Sequence, residues 1–200
     1  MKASILTLAI ALTALLGLGN SASAATPGKE AVTTLNQSSP INKIEVHGNV
    51  ELYLSTGPTD QVKVYNDYYT ENAMIQGHDG VLRIASYKDQ KLVVWVTANS
   101  LQGLSVYDDA TVKSFGRLST LALDVKLYNN ASAQLDMDAY EITMKQSDRA
   151  KTDLSGLVCN ANLSCEYSSS LNIAGLDAEH VVKKVIPANT GSYQDLAASL

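Results

Sequence analysis

From Ile41 onward the chain alternates. Ile44, Val46, Gly48, Val50, Leu52 and Leu54 share one parity, and Glu45, His47, Asn49, Glu51 and Tyr53 share the other. Successive side chains of a strand point to opposite faces, so this period of two predicts a half-buried strand or strand pair, with Gly48 where it bends or bulges. A turn is expected over Ser55-Thr56-Gly57-Pro58-Thr59-Asp60, Val62 and Val64 resume the alternation, and Asp79-Gly80 marks another turn before Leu82 and Ile84. Leu92-Val93-Val94-Trp95-Val96 is apolar at every position, which predicts a central strand covered on both faces with Trp95 in the core. Helical periodicity is absent.

Beyond residue 100 the chain repeats. Leu104, Val125, Met144 and Leu163 stand 21, 19 and 19 residues apart. The same steps connect Ala110, Ala131, Ala150 and Ser169; Val112, Ala133, Thr152 and Leu171; Ser114, Leu135, Leu154 and Ile173; and Gly116, Met137, Gly156 and Gly175. A further step of 19 from Leu163 reaches Val182 and predicts a partial fifth copy over His180 to Ile186. In each copy these positions share a parity and point to one side of an extended backbone. The expected fold is therefore all-β: a single-domain, parallel β-helix-like β-solenoid with rungs of 19–21 residues, preceded by an N-terminal strand region. The alternative is an antiparallel β-sandwich with hairpins of similar length. The Leu-x-x-Leu-x-Leu-x-x-Asn frame of a leucine-rich repeat is missing.

The N-terminus adds a destination. Lys2, the apolar run Ile5 to Leu18 and the small residues Ala22-Ser23-Ala24 have the three-part layout of a cleavable signal peptide over residues 1–24. The run is shorter than the roughly 20 residues that span a bilayer, and no Cys lies near the cleavage region to carry a lipid. The expected location is extracytoplasmic, with no membrane insertion after cleavage. Residues 25–40, rich in Thr, Ser, Asn and Gln, read as a flexible leader, 41–186 as one β domain and 187–200 as a C-terminal tail. Loss of Lys2 takes the formal charge from -5 to -6, and no basic cluster remains, which argues against nucleic acid and anionic membrane surfaces as partners. Oligomeric state stays open.

Candidate chemistry is sparse. His47, His78 and His180 are widely separated and none sits in a metal-binding frame. There is no nucleophile elbow and no phosphate-cradling loop, so neither a cofactor nor an enzymatic activity is expected. Asp108-Asp109 and Asp136-x-Asp138 are the carboxylate pairs that glycoside hydrolysis or calcium would need, but in the repeat frame they form no continuous ladder and read as solvated turn residues. Cys159 and Cys165 lie too far apart on an extended strand to be bridged unless Asn160-Ala161-Asn162 turns. Tyrosine is used ten times against one Phe and one Trp, and Tyr53, Tyr65, Tyr68 and Tyr69 crowd the earlier strands. Tyr107 and Tyr128 share a column of outward parity beside Asp109 and Asn130, and these four residues form the candidate binding surface. Exposed aromatic rings stack on sugars or anchor a protein, or else simply cover each other. Lys126 and Lys145, also outward and in register, are read as a guard against edge pairing.

The alternation over Ile44 to Leu54, the Gly-containing turn, Val62-x-Val64, Asp79-Gly80-Val81-Leu82-x-Ile84 and the short repeats with small residues at their turns resemble the head-GIN domain family of auto-transporter adhesins. The resemblance covers residues 41–186. It implies an exported, β-solenoid-like protein with an adhesive role, binding a glycan, a cell-envelope component or a protein. Against it stand a passive scaffold of the cell envelope and, more distantly, a polysaccharide-active β-helix enzyme. Tyr107-Asp108-Asp109-Ala110 and Tyr128-Asn129-Asn130-Ala131 depart from the family's glycine-bearing turns, but Asp and Asn tolerate the left-handed backbone.

Overall fold

A computed structural model of the chain describes residues 32–35, 40–65 and 73–187. The expected signal peptide lies outside the described residues, as do most of the leader, the tail beyond Pro187, and Tyr68 and Tyr69. All regular structure among the described residues is strand: β1 (Val32–Leu35), β2 (Lys43–Gly48), β3 (Val50–Thr56), β4 (Gln61–Tyr65), β5 (Ala73–His78), β6 (Val81–Ser86), β7 (Leu92–Ala98), β8 (Gly103–Val106), β9 (Thr111–Ser114), β10 (Leu118–Leu127), β11 (Ser132–Gln146), β12 (Lys151–Glu166) and β13 (Ser170–Ile186).

The alternation that opens the domain breaks where glycine permits it. Gly48 has φ +77°, and a Cβ there would overlap the Ser86 carbonyl oxygen. The backbone turns at Gly48-Asn49, and β2 and β3 enter two different arms of one sheet. One arm runs β5-β6-β2-β8-β10 and the other β1-β4-β7-β3-β9. They meet on β11, whose first residues pair with β9 and whose remainder pairs with β10. Beyond it β12 pairs with β11, and β13 with β12.

Within the repeat every pairing is parallel, and over most of its length the register follows the sequence offset. Val125 lies opposite both Leu104 and Met144, and Met144 opposite Leu163. The column extends into the non-repeating part, because Ile44 pairs with both Leu104 and Leu82. Leu82, Ile44, Leu104, Val125, Met144 and Leu163 thus form one continuous row, each at most 2% exposed. A second row runs Val94, Leu52, Val112, Ala133, Thr152 and Leu171. Burying a Leu, Ile, Val or Met side chain contributes about 1.5–3 kcal/mol, so these rows are the principal source of cohesion between neighbouring copies.

Several expectations are corrected. The first and last members of the fifth column are displaced. Lys113 lies opposite Gln134, 21 residues on, whereas Leu118 lies opposite Met137, 19 on, so two extra residues bulge out between Ser114 and Leu118 and Leu118 takes the place expected of Gly116. At the far end the register slips by one between Asp153 and Ser155, so Gly175 faces Ser155 and Leu163 faces Lys183 rather than Val182. The strand Leu92–Ala98 alternates buried and half-buried positions, and Trp95 faces outward: an apolar run marks two covered faces only when both carry a layer, and here the second face carries only neighbouring side chains. Val32–Leu35, inside the expected flexible leader, pairs antiparallel with β4, and Leu35 packs against the core. Lys126 and Lys145 lie opposite each other on interior strands, so they guard no edge; among the described residues the strands paired on one side only are β1, β5 and β13.

Candidate functional site

The turns that join the two arms carry the expected surface. Tyr107–Ala110, Tyr128–Ala131 and Ser147–Ala150 each close with the fourth residue's N–H donating to the first residue's carbonyl, at 3.2, 3.1 and 3.2 Å. Their second residues, Asp108, Asn129 and Asp148, have φ 61°, 61° and 59°. A tight turn of this kind favours glycine, then Asn and Asp, whose short polar side chains offset part of the conformational cost by local hydrogen bonding.

Stacking the turns aligns their side chains. The Tyr107 and Tyr128 rings lie 4.9 Å apart and 9° from parallel, and His47 stacks on the other face of Tyr107 at 4.3 Å. Asn130 Nδ2 donates to Asp109 Oδ1 at 2.9 Å, and Arg149 Nε donates to Asn130 Oδ1 at 2.9 Å. All four sequence-derived residues are thus brought to one corner, Tyr107 and Tyr128 half-buried and Asp109 and Asn130 exposed. The carboxylates there are already engaged: Asp108 accepts from Gly48 N and Asn129 Nδ2, and Asp148 accepts from Asn129 N.

The other candidate groups are dispersed. Among the described residues no three His, Cys, Asp or Glu side chains gather in a metal-binding cluster. His78 lies 3.0 Å from Asp79, and His180 sits on β13. Asp136 faces Arg117 at 3.4 Å. Cys159 and Cys165 are both free and both on β12, which does not turn at 160–162. Burial pushes the Cys165 thiol above its ordinary pKa, which leaves it a poor nucleophile.

A second outward cluster gathers Tyr53 and Tyr65, two of the crowded early tyrosines, around Trp95 and Phe115, which the sequence does not place with them. Trp95 stacks on Tyr53 at 4.7 Å, meets Phe115 at 4.8 Å with the planes 60° apart, and lies 6.0 Å from Tyr65. Next to it Lys113 Nζ donates to Glu51 Oε1 at 2.7 Å, and Tyr53 Oη donates to the same oxygen at 2.9 Å. The Lys113 hydrogen bond outweighs partial burial and holds the Glu51 carboxyl below the usual value; the same pair raises Lys113. The signal in the sequence was the parity of Tyr53, shared by Trp95 once β3 and β7 are paired; sequence alone does not give that pairing.

An all-β repeat domain with outward side-chain ladders and no metal-binding cluster among its described residues is the class that fold and surface define. The chain belongs to the family described as "Putative auto-transporter adhesin, head GIN domain", whose model matches residues 40–190. The fold is shared with solved structures. A "putative adhesin" from Bacteroides fragilis NCTC 9343 is 18% identical, with a TM-score of 0.66 over 79% of this chain and 78% of that one. A "putative lipid binding protein" from Parabacteroides distasonis ATCC 8503 is 8% identical, with a TM-score of 0.61 over 78% of each chain. A "putative adhesin" from that same strain is 17% identical, with a TM-score of 0.57 over 79% of each chain. No curated protein matches the sequence. Among the described residues no helix is long and apolar enough to cross a membrane.

Proposed function

We propose that the chain is an exported, non-catalytic, adhesin-like binding module, delivered outside the cytoplasm by residues 1–24, and that its repeat region is a β-solenoid. The observation that carries this reading is the in-register parallel pairing at the repeat offset, which sets equivalent outward side chains one strand spacing apart on a rigid face. Membership of the adhesin head family supports it. The partner is a glycan, a cell-envelope component or a protein, and the corner formed by Tyr107, Tyr128, Asp109 and Asn130 is one face that would meet it. The solenoid has its own test. Met144→Cys combined with Leu163→Cys, in a chain with Cys159→Ser and Cys165→Ala, places two thiols on adjacent strands in register, within disulfide reach. Oxidation is expected to bridge them in the folded protein; a folded protein that stays unbridged favours the sandwich.

A second reading, a passive scaffold of the envelope, is favoured by the covering of both Tyr107 faces by His47 and Tyr128. The two readings separate on one double variant. Under the binding reading, Tyr107→Ala with Tyr128→Ala lowers retention of the protein on envelope fractions while the urea midpoint moves little. Under the scaffold reading the variant loses about 0.5–1.5 kcal/mol of stacking beyond lost burial and retention is unchanged.

A further inference from the structure

We propose that the groove beside Phe115 is a binding site for a neutral saccharide chain, an inference that rests on the binding-module reading and gives it a ligand class and a location. The groove has a volume of about 350 Å³ and is lined by Tyr53, Lys113, Phe115, Gln134, Asp136 and Asp153 among others. It lies on the outer face of the second arm, apart from the Tyr107–Tyr128 corner.

Its shape comes from the two-residue bulge between Ser114 and Leu118. The bulge lifts Phe115 off the sheet, where the ring is 61% exposed, and pins it: Phe115 N donates to the Leu54 carbonyl at 2.7 Å, and Ser114 Oγ accepts from Asp136 N at 2.9 Å. One side of the ring leans on Trp95, which is itself stacked on Tyr53. Aromatic carbon is thus held in water at the rim by a rigid base, the arrangement in which a ring gains most from covering an apolar ligand face.

The floor is polar and periodic. Lys113, Gln134 and Asp153 lie side by side in register on β9, β11 and β12, about 4.8 Å apart. They offer an ammonium, an amide and a carboxylate in sequence. The Gln134 amide has no side-chain partner among the described residues, and Asp153 accepts from Asn172 through one oxygen only, at 3.2 Å. A pyranose has the complementary chemistry: C–H groups on its faces for the ring, and vicinal hydroxyls on its rim that donate to the carboxylate and both donate to and accept from the amide.

Charge selects within that class. Lys113 is neutralised by Glu51 at 2.7 Å and Arg117 faces Asp136 at 3.4 Å, which leaves Asp153 as the unneutralised charge of the floor. An acidic glycan would meet a carboxylate there on a protein of net charge -5. A peptide adding itself as a strand is disfavoured, because β9 and β11 are already paired on both sides and present no free backbone edge.

Titration calorimetry of the purified protein with cellohexaose, mannohexaose and chitohexaose, beside a sialylated oligosaccharide and a pool of extended peptides, tests this. At least one neutral hexasaccharide is expected to bind, and Phe115→Ala and Gln134→Ala are each expected to weaken it roughly tenfold; the urea midpoint stays unchanged in Gln134→Ala, whose side chain is exposed, and falls only slightly in Phe115→Ala, which gives up the ring contact with Trp95. Saccharide binding that survives both substitutions but is lost in the Tyr107→Ala, Tyr128→Ala protein overturns the groove and leaves the binding module standing. Envelope retention without any neutral saccharide binding, or competition by the peptides alone, overturns the ligand class. Absence of both retention and saccharide binding overturns the binding module as well.

Discussion

Gly156→Ala is expected to lower unfolding free energy by about 3 kcal/mol or more, read as a fall in the urea midpoint at unchanged slope. Gly156 has φ +103°, a conformation that costs an L-residue of the order of 1–3 kcal/mol by itself. The second contribution is steric. A Cβ there would overlap the Met137 carbonyl oxygen and lie 2.8 Å from Met137 N, both backbone atoms of the neighbouring strand. Neither can yield without breaking the pairing of β12 with β11, the strand on which the two arms converge. Gly116→Ala is the control. Its φ is +77°, but nothing lies within 4 Å of the added carbon, so it should show the backbone cost alone, about 1–2 kcal/mol. Equal losses at the two positions would mean that strand-to-strand contact at Gly156 adds nothing.

The second large effect comes from adjacent residues with opposite fates. Met144 is 1% exposed between Val125 and Leu163, and Lys145, its neighbour in the chain, faces solvent. Met144→Lys places an ammonium in the middle of an apolar row with no acidic partner, a change expected to cost on the order of 3–5 kcal/mol and to leave little folded protein at 37 °C. Lys145→Met should stay within about 0.5 kcal/mol of the parent. Thermal and urea unfolding of the two proteins compare them directly. If both substitutions were mild, the side-chain parity along β11 would have to be wrong.

Much of this architecture was legible because side-chain parity and repeat offset are local properties of the chain. The column from Leu104 to Leu163 could be read directly, since apolar residues must recur in register if their strands are to bury them together. Its continuation through Ile44 to Leu82 could not, because nothing in residues 40–100 repeats at that period and the pairing is decided in three dimensions. The slip between Asp153 and Ser155 was hidden for a related reason: Gly156 and Gly175 match by offset, while the backbone absorbs one extra residue before it. Trp95 was misplaced because five consecutive apolar residues cannot report how many layers cover them. Tyr107, Tyr128, Asp109 and Asn130 were found together because a stacked turn places equal positions one above another. Phe115 escaped because its neighbours Trp95 and Tyr53 come from strands far apart in the chain.

Lys183 stands where the row of Leu82, Ile44, Leu104, Val125, Met144 and Leu163 would place its next apolar residue. Among the described residues β13 pairs with β12 alone and shows Val181, Val182 and Val185 to solvent at 46%, 62% and 46%. A strand from another molecule adding there would have to strip water from that ammonium, and at the opposite end the antiparallel β1 and β5 break the parallel pattern a newcomer would need to copy. Stacked β-structure is in essence a filament that lengthens by templating itself. In this protein the last described strand sets a charge in that apolar row, which raises the cost of copying it.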